Sequence, residues 1–266
     1  MDKIAVLGPK GTFSDMAARK LNYDIVYCES HQQIFESIVN DKAKYALIAF
    51  ENQLTGTIIE NLDFLIKNDL NIVKEIILPI HHTLCAFPGS KNIKKIFSHP
   101  QGFLQCKKFL GTTYEQIELK STADAFEHIK KDKIMDAACI GTKLAAEIYG
   151  LEVKKENIED FNHNQTRFFV LSKEKSKISG KKTSIIFKVR HEPGSLVNSL
   201  QRLAKHEINL TKIESRPLPE HPWEYLFYCD LECSDYDILS KALNEMELSL
   251  VFLKKLGTYD VERCDE

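Results

Sequence analysis

The sequence lacks the patterns that mark several common classes of protein. Its seven cysteines include no Cys-x-x-Cys pair and its nine histidines no His-Glu-x-x-His spacing, so we expect reduced core cysteines and no metal site. The apolar run IAVLG near the N-terminus is too short for a signal peptide core or a membrane span. A formal net charge of -2 gives no reason to expect nucleic acid. We therefore expect a cytoplasmic protein with no membrane or nucleic-acid partner.

What is present is typical of a globular protein with regular secondary structure. The 266 residues are enough for one large domain or two smaller ones, and 43% of them are hydrophobic. Short apolar runs such as KIAVLG, DIVYC and YALIAF alternate with segments of helical periodicity. This βαβα alternation predicts an α/β layer with a mostly parallel sheet.

The pattern changes after a polar, basic stretch. SKEKSKISGKKTS, residues 172–184, contains a glycine and predicts a linker. The strands and helices that follow it come in the order βαββαβ, which is typical of the ferredoxin-like fold. We therefore predict an α/β domain at residues 1–177 and a smaller α+β domain at residues 183–260.

Uncharged hydrogen-bonding side chains stand at the ends of four predicted strands. They are Thr12, Asn52, Ser98 and Thr166. Ligands of open α/β sheets gather outside strand ends, and polar groups that converge there mark a cleft. The residues alone therefore predict an α/β domain that binds a small polar ligand, followed by an α+β domain of regulatory type.

Each of these groups also has a purely structural alternative. Asn52 could stabilise its own turn, and Ser98 could be the N-cap of a helix that begins near Pro100. Thr12 could form a capping box with Asp15, and Thr166 could hydrogen-bond a turn. No Walker spacing accompanies the glycines near Thr12. From the residues alone both readings stay open.

Taken together, the motifs resemble those of prephenate dehydratases that carry a C-terminal ACT regulatory domain. The matching segments occur in the family's order and are GPKGTFS, ENQLTG, NLDFL, SHPQGFLQC, STADA, AACIGTKLAAEIYGLEV, NQTRFFVL, EPGSLVNSL, INLTKIESRP and WEYLFYCDLE. They extend over roughly residues 4–260, so the ordered set is specific although each segment alone is weak.

The resemblance implies both a fold and a reaction. The fold is a catalytic domain like a two-lobed type II periplasmic binding protein, followed by a ferredoxin-like ACT domain. The lobes are expected at about residues 1–77 with 160–177, and at 78–159. The implied reaction converts prephenate into phenylpyruvate, CO2 and water in phenylalanine biosynthesis, and it needs no cofactor.

The resemblance also implies roles for single residues. Thr166 matches the threonine regarded as essential in the family, and we expect it to act as a preoriented hydrogen-bond donor. The other expected catalytic residues are Asn52, Ser98 and Gln105. The expected substrate contacts are Thr12, Glu51, Arg167 and Phe168. Arg167 could clamp a carboxylate of the substrate or form a structural ion pair, because neighbouring strand residues point to opposite faces.

Feedback inhibition by L-phenylalanine is a further implication. The expected contacts of this effector are Gly194, Ser195, Leu196, Asn209, Leu210, Glu214, Ser215, Arg216 and Pro217. They form two stretches that are expected to meet between the ACT domains of a homodimer or homotetramer. The chain departs from the family at Phe50 and Gln53 in AFENQ, and at Ser195 where alanine is common.

Two alternative functions remain open at this point. One is an arogenate dehydratase, whose substrate carries an amino group where prephenate has a keto group. The other is a ligand sensor that keeps the two-lobed fold without catalysis.

Overall fold

Most apolar runs predicted as strands are strands in the computed structural model, which describes residues 1–175, 180–218 and 223–264. The described residues divide into two units. Unit 1 comprises Met1–Ile58, Ile77–Phe168 and Cys264, and unit 2 comprises Ile59–Ile76 and Phe169–Arg263. The predicted domain and lobe boundaries stay a prediction. Residues 176–179 of the predicted linker lie outside the described part.

The helices and strands have the following bounds. Up to residue 98 they are β1 (Lys3–Leu7), α1 (Phe13–Arg19), β2 (Asp24–Cys28), α2 (His31–Val39), β3 (Tyr45–Asn52), β4 (Gly56–Thr57), α3 (Ile59–Lys67), β5 (Asn71–Pro79), β6 (Thr83–Ala86) and β7 (Lys95–Ser98). Up to residue 172 they are α4 (Pro100–Gln105), α5 (Lys107–Leu110), β8 (Glu115–Glu118), α6 (Thr122–Asp132), β9 (Ala137–Gly141), α7 (Lys143–Tyr149), β10 (Glu152–Lys155) and β11 (Gln165–Ser172). The remaining elements are β12 (Lys182–Val189), α8 (Ser195–Lys205), β13 (Asn209–Pro217), β14 (Tyr225–Glu232), α9 (Tyr236–Glu247), β15 (Leu250–Tyr259) and β16 (Val261–Arg263).

Unit 1 contains two sheets. One runs in the order β5-β11-β3-β1-β2, with β4 paired to β3, and the strands β5 and β11 continue into unit 2. Strand β1 is parallel to both β2 and β3, as the βαβα alternation predicted. The other sheet runs β10-β6-β9-β7-β8 and is mixed, because β6 is antiparallel to β9 and β10.

Buried alanine and aromatic side chains allow the helices to pack closely on the second sheet. One core cluster there joins Phe97 of β7, Phe126 of α6 and Cys139 of β9, and all three are almost fully buried. A Cβ atom on Gly141 would overlap the ring of Phe126, so α6 needs glycine at that position of β9.

Unit 2 has the predicted βαββαβ order. The strands form an antiparallel sheet in the order β13-β14-β12-β15. Its core includes Ile185 and Phe187 of β12 together with Leu203 of α8 and Leu239 of α9. The alternating apolar residues of β12 thus meet one face of each helix.

Helix α3 and the first part of β5 also belong to unit 2, although they precede it by about a hundred positions in the chain. Arg216 donates two hydrogen bonds of 2.7 Å to the carboxylate of Asp63 on α3. The ammonium of Lys182 lies 3.0 Å from a carboxylate oxygen of Glu75 on β5, and both side chains are buried. These contacts explain why α3 and the first part of β5 belong to unit 2.

One of the two predicted helix caps is confirmed, and the other is wrong. Thr12 accepts a hydrogen bond from Asp15 N as the N-cap of α1. Ser121 likewise accepts from Asp124 N at the start of α6, and Gly150 ends α7 in the left-handed conformation. Ser98, however, is not the N-cap of α4. His99 takes that position and accepts from the N–H of Gln101, because Ser98 is still the last residue of β7.

Two further findings concern the described residues as a whole. Among them, no helix is long and apolar enough to cross a membrane. No group of three or more His, Cys, Asp and Glu side chains in this part of the chain is arranged to hold a metal ion. The cysteines, all within the described ranges, are free thiols and most of them are buried.

Candidate active site

Unit 1 contains a cavity of about 370 Å³, lined by strands of its first sheet and by helices and connecting segments that adjoin the second. This volume is within the usual range for small-molecule sites. The lining comes from the loop after β1, the ends of β3 and β11, the residues before β6, helix α4 and the start of α6. Of the predicted site residues, Thr12, Asn52, Gln105, Thr166 and Phe168 line it. Ser98, Glu51 and Arg167 are not among its lining residues.

Asn52 and Thr166 are joined at the end of β3 and the start of β11. Asn52 Nδ2 donates to Thr166 Oγ1 at 3.0 Å and to Asn164 Oδ1 at 2.8 Å. Its Oδ1 accepts from the N–H groups of Leu54 and Thr55. The carboxamide of Asn52 is thereby fixed on both sides, and it in turn fixes the hydroxyl oxygen of Thr166.

Ser98 lies beneath the cavity wall. It is fully buried, and its hydroxyl donates to the carbonyl oxygen of Ile140 at 3.2 Å. A Cβ atom on Gly102 would collide with Ser98 Oγ, so α4 approaches this serine closely. This places Ser98 where it supports α4 and, through α4, Gln105. Direct contact of Ser98 with a substrate stays a prediction.

Glu51 and Arg167 form an ion pair with each other. Arg167 Nη1 lies 2.7 Å from Glu51 Oε2, and the guanidinium lies 5.8 Å from the centre of the Phe50 ring. Of the two roles left open for Arg167, this geometry favours the structural ion pair between β11 and β3. Substrate contact by either residue stays a prediction.

The loop after β1 is held by the buried carboxylate of Asp15. This carboxylate accepts from Gly11 N at 2.7 Å, from Tyr27 Oη at 2.7 Å and from Arg19 Nε at 3.0 Å. Burial and the bond to Asp15 raise the pKa of Tyr27 to about 12, so the phenol keeps its proton. The hydroxyl of Thr12 donates to Pro9 O and accepts from Asp15 N, which commits this side chain to the loop.

Gln105 contacts a histidine that lines the same cavity. His82 Nε2 lies 2.6 Å from Gln105 Oε1. Burial lowers the pKa of His82, although the bond to Gln105 and the charge of Glu159 oppose this effect. The imidazole is therefore neutral near pH 7. Burial likewise lowers the pKa of His99, the N-cap of α4, which also lines the cavity.

Three titratable residues of the lining, His82, His99 and Lys120, are not among the predicted site residues. Lys120 stands directly before the capped start of α6, at the strand-to-helix position that had drawn attention to Ser98. The same argument applied to this connection would have found it.

Unit 2 contains a second cavity, of about 440 Å³, at the turn between β12 and α8. Gly194, Ser195 and Leu196 from the predicted effector site line it, together with Tyr225 and Phe227 of β14. The predicted residues of β13 (Asn209–Pro217) are not among its lining residues. Gly194 has φ +82°, a backbone conformation that favours glycine.

The sequence matches a known protein family. A family model described as prephenate dehydratase matches residues 4–176. The chain belongs to the prephenate dehydratase family.

Curated relatives of the family extend over almost the whole chain. The bifunctional chorismate mutase/prephenate dehydratase of Aquifex aeolicus is 37% identical and covers 97% of this chain, with 73% of its own length covered. The arogenate dehydratase/prephenate dehydratase 2, chloroplastic, of Arabidopsis thaliana is 37% identical, over 98% of this chain and 73% of its own. The prephenate dehydratase of Methanocaldococcus jannaschii is 36% identical, over 95% of this chain and 96% of its own.

Solved structures also resemble the chain over almost its whole length. One described as GqqA, a novel type of quorum quenching acylase, has a TM-score of 0.89 at 28% identity, over 98% of both chains. Prephenate dehydratase from Arthrobacter aurescens in complex with L-Phe has a TM-score of 0.87 at 26% identity, over 97% of this chain and 90% of its own. These likenesses indicate the two-lobed α/β fold of the periplasmic-binding-protein type.

Membership of this family also defines the reaction. The chain is a lyase that converts prephenate into phenylpyruvate, a step of phenylalanine biosynthesis. Asn52, Thr166 and Gln105 line one cavity, and their roles in this reaction stay a prediction.

Proposed function

We propose that the cavity of unit 1 is the prephenate site and that Thr166 is the donor to the departing hydroxyl group. The proposal rests on the hydrogen bond from Asn52 to Thr166. Because Thr166 Oγ1 accepts from Asn52 Nδ2, and donates no hydrogen bond within the described residues, its own proton remains for a ligand. Thr166 is 7% exposed, so a donor held in this way is largely shielded from water.

The reaction needs such a donor more than it needs a strong acid. The bond from the ring carbon to the carboxylate breaks, and CO2 leaves. The electron pair of that bond moves into the ring as the carbon–oxygen bond to the hydroxyl group breaks. The departing hydroxide takes a proton from the surrounding solvent and becomes water. Aromatisation drives these steps, so a hydrogen bond that strengthens while charge develops on the departing oxygen lowers the barrier.

The charge of the cavity wall suits a dianionic substrate. No Asp or Glu is among the described lining residues, whereas Lys120 is. Apolar side chains, among them Phe168, Ile80 and Ile58, form much of the remaining surface. A carboxylate that loses its charge as CO2 is favoured beside such a wall.

Arogenate is the second candidate substrate, because the Arabidopsis relative is named for both activities. Its ammonium group would favour a carboxylate in the cavity wall, and the described lining supplies none. We therefore expect a higher kcat/KM for prephenate than for arogenate. Parallel assays of both substrates decide this. Turnover of neither would support the non-catalytic sensor.

Unit 2 is proposed to be an ACT regulatory domain that binds L-phenylalanine. Its βαββαβ order and antiparallel sheet support this, and so does the L-Phe in the similar Arthrobacter structure. The 440 Å³ cavity at the start of α8 offers backbone N–H groups for an α-carboxylate and apolar rings for a side chain. Calorimetry with L-phenylalanine, with D-phenylalanine as the control, tests this assignment.

The remaining proposals concern assembly and location. The predicted contacts on β13, from Asn209 to Pro217, do not line this cavity, and we assign them to the cavity of a second copy in a homodimer or homotetramer. Sedimentation with and without L-phenylalanine tests this assembly. A cytoplasmic location stays a prediction from the sequence.

A further inference from the structure

His82 is a buried titratable side chain of the cavity to which the proposed reaction gives no role. It lies between β5 and β6, is 2% exposed and lines the cavity together with Gln105. Its ring stands edge to face against Phe13, with 5.3 Å between the ring centres. An imidazole packed in this way cannot turn freely, so its polar contacts are fixed by the fold.

The contact between His82 and Gln105 defines which ring nitrogen carries the proton. A neutral imidazole has one N–H donor and one acceptor nitrogen. Nε2 lies 2.6 Å from Gln105 Oε1, whereas Nδ1 is buried without a hydrogen-bond partner in the described part of the chain. An unpartnered buried acceptor is tolerated better than an unpartnered N–H. The proton therefore belongs on Nε2, which donates to Gln105 Oε1.

A short segment before β11 holds both partners in place. The N–H of Ile158 donates to His82 O at 3.0 Å, and the N–H of Asp160 donates to Gln105 O at 2.7 Å. Between them, the buried carboxylate of Glu159 accepts from the backbone N–H of His82 at 2.8 Å. Three consecutive residues thus fix the distance between the histidine and the glutamine.

We infer that His82 is a positioning residue, whose Nε2–H holds the carboxamide oxygen of Gln105 so that the amide NH2 group is presented to an oxygen of the substrate. Among the described residues, that NH2 group makes no hydrogen bond. The carboxylates and hydroxyl group of prephenate offer acceptors for it. The inference rests on the assignment of this cavity as the active site.

Variants of matched length test the donor role. His82→Gln can place an amide N–H near the former Nε2, whereas His82→Met fills similar space without a donor. We expect His82→Met to lower kcat about 10–10²-fold through a misplaced Gln105, and His82→Gln to recover most of that loss. Equal losses in the two variants would reduce His82 to a packing role and overturn the inference.

A double-mutant cycle tests whether His82 acts through Gln105. If it does, the kcat of His82→Met/Gln105→Met is no lower than that of Gln105→Met alone. The two single variants should also change kcat and KM in the same proportion. Losses that multiply in the double variant would show an independent role and overturn the inference.

The tautomer can be measured without substrate. The ¹⁵N chemical shifts of ¹⁵N-histidine-labelled wild-type protein should show a neutral His82 ring with the proton on Nε2. A proton on Nδ1 would overturn the inference. This test uses the wild-type protein and so does not depend on the folding of His82→Met. Absence of prephenate turnover in the wild type would instead contradict the proposed function and leave this measurement valid.

Discussion

Asn52 Nδ2 donates a hydrogen bond of 3.0 Å to the hydroxyl oxygen of Thr166, although 114 positions separate the two residues. The same amide group donates to Asn164 Oδ1, so its direction is fixed from the other side. The bond occupies an acceptor site of the hydroxyl and leaves the proton of Thr166 to a ligand. In the proposed mechanism Asn52 therefore orients the donor, in addition to forming part of the cavity wall.

Removal of the hydroxyl group of Thr166 is expected to slow the chemical step. Thr166→Ala should lower kcat at least about 10²-fold, since one preorganised donor is worth about 10²–10³ in rate. Thr166→Ser keeps the hydroxyl group and is the matched control, for which we expect a much smaller loss. Steady-state kinetics with prephenate, with circular dichroism as the test of folding, gives the result. A Thr166→Ala variant with more than half the wild-type kcat would exclude the donor role.

A change of one group at Asn52 should have a similar effect. In Asn52→Asp the side chain keeps its size, but an ionised carboxylate accepts and cannot donate. Thr166 would then donate to residue 52, and its proton would be lost to the substrate. We expect kcat to fall by about the same factor as in Thr166→Ala. Asn52→Ala removes the hydrogen bond that orients Thr166 but does not capture its proton, so its loss of kcat should be smaller than that of Asn52→Asp. A larger loss in Asn52→Ala would contradict this account.

The buried ion pair of unit 2 should contribute strongly to its stability. Lys182 Nζ lies 3.0 Å from Glu75 Oε2 and 3.9 Å from Asp230 Oδ2, and both carboxylates are fully buried. Lys182→Met would leave them without this cation, at a cost of about 3–5 kcal/mol in the free energy of unfolding. Urea denaturation measures the loss. Lys181→Met, at the exposed neighbouring position, is the control and should change stability little.

The parts of the fold that depend on local pattern could be predicted from the sequence. The βαββαβ order of unit 2 follows from apolar periodicity, and Thr166 stands near the start of β11 as the run FFVL indicated. The start of α4 near Pro100 is confirmed, but its N-cap was predicted one residue early, at Ser98 in place of His99, because serine is a preferred N-cap residue.

Contacts between distant segments could not be predicted in this way. The bond between His82 and Gln105 joins the connection before β6 to the end of α4, and neither residue type reveals the other. Arg167 could be assigned to an ion pair only once β11 was known to lie beside β3. The grouping of α3 with unit 2 likewise depends on tertiary contacts such as that of Asp63 with Arg216. Sequence order contains no signal for such partners.

A side chain at Gly194 should abolish the response to L-phenylalanine. Gly194 lines the cavity of unit 2 and has φ +82°. Among the described residues, an added Cβ there would meet only Asn198 within 4 Å. A substitution therefore disturbs the backbone conformation and the cavity. Gly150→Val is the matched control, because Gly150 has φ +70° with open space around it and lies in unit 1. We expect the ratio of rates with and without L-phenylalanine to approach one in Gly194→Val and to stay at its wild-type value in Gly150→Val, since an effector that cannot bind cannot shift an equilibrium. Calorimetry should show the matching loss of affinity, and unchanged affinity in Gly194→Val would place the effector elsewhere.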